Sequence, residues 1–289
     1  MPRLAYVDGR IAPLASAQVS VEDRGLQFAD SVYEVCAVLN GRLLDWPEHA
    51  ARLARNLDEL AIPAPITTPA LALVARRLLA ANRASEALLY IQVTRGTARR
   101  DHAFPAASHP TLIMTVRPFD FAQRVEQQAR GVAVVTVPDA RWHRCDIKTT
   151  GLLANVLAKQ RARAAGVFEA WLISPDGTVA EGASTNAWIV DDAGTLVTPP
   201  LSPRVLPGIM RGAVLEAARS RQIAVAERDF TLGDAVTARE ALITSTTVPV
   251  LPVVTIDGVA ISNGRPGPVA KRLASAVWER IADQTGYRP

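Results

Sequence analysis

Lysine is nearly missing from this 289-residue chain. Of its 32 lysines and arginines, only Lys148, Lys159 and Lys271 are lysines. Arginine serves wherever a cation alone is wanted, so each lysine raises the question of amine chemistry. Cysteine is scarcer still. Cys36 and Cys145 lie far apart and give no disulfide framework, which predicts reduced thiols and a cytoplasmic location. The four histidines, His49, His102, His109 and His143, show no metal-ligand spacing with the cysteines, so no metal is expected. No apolar run reaches membrane-spanning length, and the first nine residues read as strand and turn, not as a signal peptide. A membrane partner is therefore not expected. The net charge is only +4 and the arginines are dispersed, which argues against a nucleic-acid partner. What remains is a chain about half apolar, long enough for two ordinary domains.

The elements read as mixed α/β (α+β). Residues 4–14 form a hairpin about the Asp8-Gly9 turn, and residues 23–30 a polar loop. Residues 32–39 make a strand with Tyr33, Val35, Ala37 and Leu39 on one face, turned back by Asn40-Gly41. Asp45 and Glu48 predict a capping box for a helix to about residue 60, and a second helix starts at Thr68-Pro69 and ends near Asn82. Strands follow at 87–94 and 111–116, separated by a loop dense in charge. Arg117-Pro118-Phe119-Asp120 breaks the pattern and predicts an interdomain link, with a smaller domain at 1–118 and a larger one at 119–289. The second half reads as strands at 132–137, 169–174, 187–190 and 241–244, a hairpin about Asp257-Gly258, and helices at 152–165, 206–221 and 268–282.

Lys148 stands out among the three lysines. Lys159 and Lys271 sit in helical runs beside arginines and read as solvated positions. Lys148 lies between a strand and a helix, where α/β proteins present reactive groups. An amine there can attack a carbonyl. A plain salt bridge to Asp146 or Asp139 is the alternative. Three more segments complete a chemical set. Gly208-Ile209-Met210 at a helix start offers an anion site, Ser245-Thr246-Thr247 offers hydroxyls at a strand end, and Glu181 offers a carboxylate among small residues. Alone, each has an ordinary structural explanation. Together they match the needs of pyridoxal phosphate: one lysine, one carboxylate for the ring nitrogen and one anion site for the phosphate.

At this point the chain resembles a family. Residues 23–35 (DRGLQFADSVYEV), VTRGT at 93–97 with Arg100 and His102, RCDIK at 144–148, LAKQ at 157–160, EGASTN at 181–186 and TSTT at 244–247 are similar to the bacterial D-amino acid aminotransferases. These belong to the fold-type IV pyridoxal-phosphate enzymes. The resemblance implies the two-domain architecture of that fold, with the cofactor between the domains. It implies that Lys148 is the Schiff-base lysine, that Glu181 partners the pyridine nitrogen and that Leu206 packs on the ring. Arg52, Ile209, Met210, Ser245 and Thr246 fall at the phosphate positions. Tyr33, Val35, Arg100 and His102 fall in the substrate site, with Arg100 and His102 reaching in from a partner subunit, so a homodimer is implied. The implied reaction moves the amino group of a D-amino acid to a 2-oxo acid. Alternatives on the same fold are aminodeoxychorismate lyase, a branched-chain L-amino acid transaminase and an (R)-amine transaminase. Three residues depart from the pattern: Met210 replaces a threonine as in many of the lyases, Ala37 a longer side chain, and Ala183 a serine.

Overall fold

The Asp8-Gly9 turn closes the first hairpin, between β1 (Leu4–Val7) and β2 (Arg10–Pro13). Both turn residues have positive φ, the geometry that a two-residue hairpin needs. The structure is a computed structural model and describes residues 3–288. The chain divides into two units. The first holds residues 3–120, 147–151 and 284–287; the second holds 121–146, 152–283 and 288.

In the first unit, α1 (Arg24–Phe28), β3 (Ser31–Leu39), β4 (Arg42–Leu43), α2 (Trp46–Glu59), α3 (Thr68–Asn82), β5 (Ala87–Thr94) and β6 (Leu112–Pro118) follow the hairpin. The strands form one antiparallel six-stranded sheet in the order β2-β1-β6-β5-β3-β4. Its alternation decides the packing. Val32, Cys36 and Val38 of β3, Leu89 and Ile91 of β5 and Met114 of β6 share a core with Leu53 and Leu57 of α2 and Leu71, Ala75 and Leu78 of α3. Leu78, Leu89, Ile91 and Met114 are 0–1% exposed, and each such side chain contributes about 1.5–3 kcal/mol. The opposite face of β3 carries Ser31, Tyr33 and Val35.

Three sequence expectations change in this unit. The polar loop at 23–30 contains α1, because the Asp23 side chain accepts from the Gly25 N–H and caps a short turn of helix. The capping box at Asp45 does not form. Asp45 lies in the left-handed region and makes no side-chain cap; its carboxylate accepts from the Gln284 amide at 2.8 Å. The segment 147–151, expected in the larger second domain, packs with the first unit. Val32 and Thr149 form an antiparallel bridge, and the Tyr33 N–H donates to the Lys148 carbonyl at 2.9 Å. Ile147 and Thr149 turn inward while Lys148 and Thr150 are only half-buried, the period of an added strand.

The second unit contains α4 (Ala122–Arg130), β7 (Val132–Pro138), α5 (Leu153–Ala164), β8 (Glu169–Ile173), β9 (Val179–Gly182), β10 (Asn186–Val190), β11 (Leu196–Thr198), α6 (Ile209–Ser220), β12 (Val225–Glu227), α7 (Leu232–Thr237), β13 (Glu240–Ser245), β14 (Val248–Ile256), β15 (Val259–Ala260) and α8 (Pro268–Thr285), whose last turn groups with the first unit. Nine strands form a mixed sheet in the order β12-β11-β10-β13-β14-β7-β8-β9, with β15 on β14. The parallel pairs are β11 with β12, β14 with β7 and β7 with β8. Helix α4 escapes sequence reading because its apolar face consists only of Ala122, Val125 and Ala129, and it buries no residue. The core centres on Trp171, Ile189, Phe230, Ile243 and Leu251. Trp188 is fully buried, and its indole N–H donates to the Thr244 hydroxyl at 3.0 Å.

Candidate active site

The three lysines have different fates. Lys159 on α5 donates to the carboxylate of buried Glu169 at 3.1 Å and to the Phe168 carbonyl at 2.6 Å. Lys271 is exposed on α8. Lys148 pairs with neither Asp146 nor Asp139; its Nζ donates to the Tyr33 hydroxyl at 3.3 Å and lies 4.3 Å from the centre of that ring. The tyrosine is the product of register. β3 sets Tyr33 opposite Gln92 and Val35 opposite Tyr90, and the Tyr33 and Tyr90 rings stand 5.6 Å apart. Tyr90 donates to Gln92 at 2.8 Å, and Gln92 donates to the Ser31 hydroxyl at 3.3 Å. The Ser31 and Thr150 hydroxyls are bonded to each other. Burial, with the nearby Tyr33 hydroxyl, pushes the Tyr90 phenol up to about 12, so it stays protonated at neutral pH. Lys148 thus has the Tyr33 hydroxyl as its partner and no carboxylate partner among the described residues.

On the core side of β3, Glu34 receives α2. Arg52 donates to it through Nε at 2.7 Å and through a terminal nitrogen at 2.8 Å, and His49 Nδ1 lies 2.7 Å from the same carboxylate. Burial pushes the Glu34 carboxyl up, but the Arg52 charge and the bonds from Arg52 and His49 outweigh it and hold it at about 2. Arg52, expected at the phosphate, forms one half of a buried ion pair with Glu34.

Arg100 and His102 lie on an exposed loop and make no hydrogen bond or ring contact with Lys148 or Tyr33. Both pack on Phe28 of α1: the His102 ring is 5.5 Å from it and the Arg100 guanidinium 5.1 Å. Arg24 anchors this loop by donating to the Asp101 carbonyl at 2.6 Å. Asp30 holds Arg24 and Arg95 together, accepting from each at 2.8 Å, and Arg95 lies 3.6 Å over the Phe104 ring. Burial pushes the Asp30 carboxyl up, and the two guanidiniums outweigh that and lower it.

The second unit gathers its own set at one end of its sheet. Glu181, on β9, is buried and accepts from the Asn186 amide at 3.0 Å and the Leu206 N–H at 3.2 Å. Its other oxygen is paired with Arg141. Arg141 in turn grips Asp139 with two bonds of 2.9 Å. Asn186 also donates to the Leu206 carbonyl at 3.0 Å and stands opposite Thr244 in the β10–β13 register. This brings the Ser245–Thr247 turn, where the Ser245 and Thr247 hydroxyls are 3.1 Å apart, to the same end. Helix α6 begins there with Gly208 as its N-cap. A Cβ at Gly208 would collide with the Asn186 amide oxygen, so only glycine lets the two meet. The first bond of the helix runs from the Gly212 N–H to the Gly208 carbonyl, leaving the Ile209, Met210 and Arg211 amides ahead of the ladder. Leu206 and Ile209 are half-buried and Met210 is buried.

Sequence reading missed Arg141 and Asn186. Asn186 had a signal, since Gly182 marks a tight turn that returns the chain within a few residues. Arg141 had little: its partner Glu181 lies forty positions away.

The groups of each unit fit a part of pyridoxal phosphate. A primary amine beside a hydroxyl suits attachment to the cofactor aldehyde, a buried carboxylate suits a protonated ring nitrogen, and helix-start amides with threonine hydroxyls suit a phosphate. Comparison with known proteins agrees. The family model for amino-transferase class IV matches residues 31–256. A protein of Bacillus licheniformis named D-alanine aminotransferase is 38% identical over 278 residues, 96% of this chain and 97% of its own. One of the same name from Listeria monocytogenes is 34% identical over 281 residues, covering 97% and 96%. Among solved structures, the branched-chain amino acid aminotransferase of Escherichia coli superposes with a TM-score of 0.90 at 24% identity, over 99% of this chain and 96% of that one. The T.th. branched-chain amino acid aminotransferase with pyridoxamine 5'-phosphate gives 0.89 at 24% identity, over 100% and 96%. These two likenesses speak for the fold; the family match and the end-to-end relatives go further, and by them the chain belongs to the class IV aminotransferases, pyridoxal-phosphate-dependent enzymes of fold type IV.

Proposed function

We propose that this aminotransferase takes the amino group of a D-amino acid such as D-alanine and gives it to a 2-oxo acid such as 2-oxoglutarate, leaving pyruvate and D-glutamate. The observation that carries the reading is Lys148 itself, the lysine that neither pairs with a carboxylate nor stands in open solvent. The choice of a D-amino acid is supported by relatives named D-alanine aminotransferase at 34–38% identity over nearly the full length.

Pyridoxal phosphate, when bound, supplies an electron sink that lets the substrate α-carbon give up its proton. Lys148 would hold the cofactor and would move that proton as general acid/base. The Tyr33 hydroxyl orients the amine through the 3.3 Å contact. Glu181 keeps an anion at the ring nitrogen, and Leu206 packs on the ring. Arg52, the amides of Ile209 and Met210, and the hydroxyls of Ser245 and Thr246 hold the phosphate. Tyr33 and Val35 line the substrate site. Arg100 and His102 bind the α-carboxylate from a second copy of the chain in a homodimer, which suits an exposed loop. Leu153, Val156 and Leu157 on α5 leave an apolar stripe in solvent that a second copy would cover. We place the enzyme in the cytoplasm; among the described residues no helix is long and apolar enough to cross a membrane.

The test is an assay of the pyridoxal-phosphate-loaded protein with D-alanine or L-alanine and 2-oxoglutarate, followed by the configuration of the glutamate formed. D-alanine with D-glutamate supports the reading, and preference for L-alanine overturns it. Met210 favours a second reading, aminodeoxychorismate lyase. Turnover of aminodeoxychorismate with no D-alanine transamination would establish that instead.

A further inference from the structure

Glu181 is embedded in a chain of charges that the proposed reaction does not yet use. Arg141 is buried along its side chain and bridges two carboxylates, Asp139 and Glu181. It donates to both oxygens of Asp139 at 2.9 Å and to the Arg204 carbonyl at 3.0 Å. Glu181 also accepts from the Asn186 amide and the Leu206 N–H. Together the three charged side chains sum to one negative charge, the complement of one protonated ring nitrogen.

We propose that Arg141 is a positioning residue that keeps Glu181 an ionised, acceptor-only carboxylate and fixes its orientation toward the cofactor ring nitrogen. The proposal rests on the assignment of Glu181 to that nitrogen. Its physical ground is the balance of burial against charge. A carboxylate as buried as Glu181 tends to take up a proton when no cation compensates it. As a neutral acid it would donate a hydrogen bond and so favour an unprotonated ring, which withdraws fewer electrons from the substrate. Arg141 removes that option, because a guanidinium stays charged at every pH at which the protein is folded. Burial depresses the Arg141 guanidinium, but the Asp139 bonds and the Glu181 and Asp139 charges outweigh that and raise it. Asp139 serves in turn to aim the guanidinium: burial pushes its carboxyl up, and the bonds and charge of Arg141, with the charge of Arg204, lower it. The nearby Cys145 thiol, pushed up to about 11 by burial and against the pull of Arg141, stays neutral. Arg141 is thus the cation that faces Glu181 directly, while Asp139 acts on Arg141, Arg204 on Asp139, and Asp146 on Cys145.

The experiment measures cofactor affinity and the pH profile of the bound cofactor's visible band, using pyridoxal phosphate itself with the full chain. The proteins are native, Arg141→Met, Arg141→Lys, Glu181→Gln and the Arg141→Met/Glu181→Gln double variant. Arg141→Met is expected to add a spectral step between about pH 5 and 8, where a buried uncompensated carboxylate titrates, and to weaken retention about tenfold or more. Arg141→Lys should restore the native profile in part. In the Glu181→Gln background, Arg141→Met should leave the profile as Glu181→Gln alone sets it, because its effect runs through that carboxylate. An unchanged band and affinity in Arg141→Met, with only a lower Tm, would overturn the proposal and leave a structural ion pair. If Glu181→Gln keeps the native profile, the ring-nitrogen assignment itself fails and the proposal falls with it. If the Arg141→Met protein does not fold, Arg141→Lys decides: a native profile at every pH with native affinity would show that any cation suffices and overturn positioning by Arg141, and a shifted profile would support positioning by the planar fork.

Discussion

At the residue scale, one amine and one carboxylate of the first unit carry separate predictions, for chemistry and for stability. Lys148 has a tyrosine hydroxyl and ring as its neighbours, so no ion pair among the described residues holds it. Reduction of the loaded protein with borohydride, followed by peptide mapping, should place the cofactor on Lys148. Lys148→Ala should lose that label and, from the lost proton transfer alone, slow turnover by roughly 10²–10⁴-fold. A label on Lys159, which is committed to Glu169, would refute the assignment. Glu34 makes the complementary case for stability. Its carboxyl titrates at about 2 in the folded protein against an ordinary 4.5. A depressed carboxyl stabilises the fold above its unfolded value and loses that contribution as pH falls through the folded one. The window is therefore from about pH 4.5 down to about 2, and the contribution is on the order of 3 kcal/mol. Acid unfolding of Glu34→Gln should start from lower stability at pH 7 and show a flatter slope across that window. An equal slope in both proteins would mean that other carboxylates govern acid unfolding.

At the element scale, the start of α6 shows why a short motif is not a site until neighbours fill it. Gly208 is required because the Asn186 amide occupies the space where a Cβ would sit. Asn186 is itself tied to Glu181 and Leu206. Gly208→Ala should push that amide aside and lower pyridoxal phosphate retention by about tenfold, roughly 1.4 kcal/mol, as read from cofactor loss on dialysis. Retention equal to native would show that the helix amides bind without the asparagine. Met210 carries the opposite lesson. The sequence presents it as a missing hydroxyl, whereas the structure buries its side chain at 3% exposure. Met210→Thr removes buried apolar volume and adds a hydroxyl that needs a partner. Thermal unfolding should therefore show a loss of about 1–3 kcal/mol. A rise in Tm with tighter cofactor binding would indicate that the threonine hydroxyl finds the phosphate after all.

At the scale of the whole molecule, the proposed homodimer turns on the loop of Arg100 and His102. Within one chain it is braced by Arg24, Asp30 and Phe28 and stands exposed to solvent. Complementation tests the proposed sharing. Arg100→Ala and Lys148→Ala proteins should each be nearly inactive on D-alanine. Unfolded and refolded together, they should regain up to roughly a quarter of native activity, from one restored site in each mixed dimer. No recovery, with mixed dimers shown to form, would place Arg100 and Lys148 in the same subunit's site or remove Arg100 from it.

Much of this molecule is legible in the sequence alone. Strands β3 and β5 follow from alternation bounded by turns, and the sequence stretch 87–94 coincides with β5. Lys148 is legible by rarity, and Glu181, Gly208 and Thr246 by motif. These signals are local: a period, a turn or a residue type can be read within a few positions of itself. Only the tertiary structure decided that 147–151 bridges to β3 within the first unit, that Asp45 bonds Gln284 instead of capping α2, and that Glu34 and Glu181 are held by Arg52 and Arg141. Each of these depends on which strand lies beside which. Alternation tells a side chain which face it occupies and says nothing of the neighbour it meets there. A buried carboxylate needs its cation within about 4 Å whatever the separation along the chain. Register and packing choose that cation, and they exist only once the chain has folded.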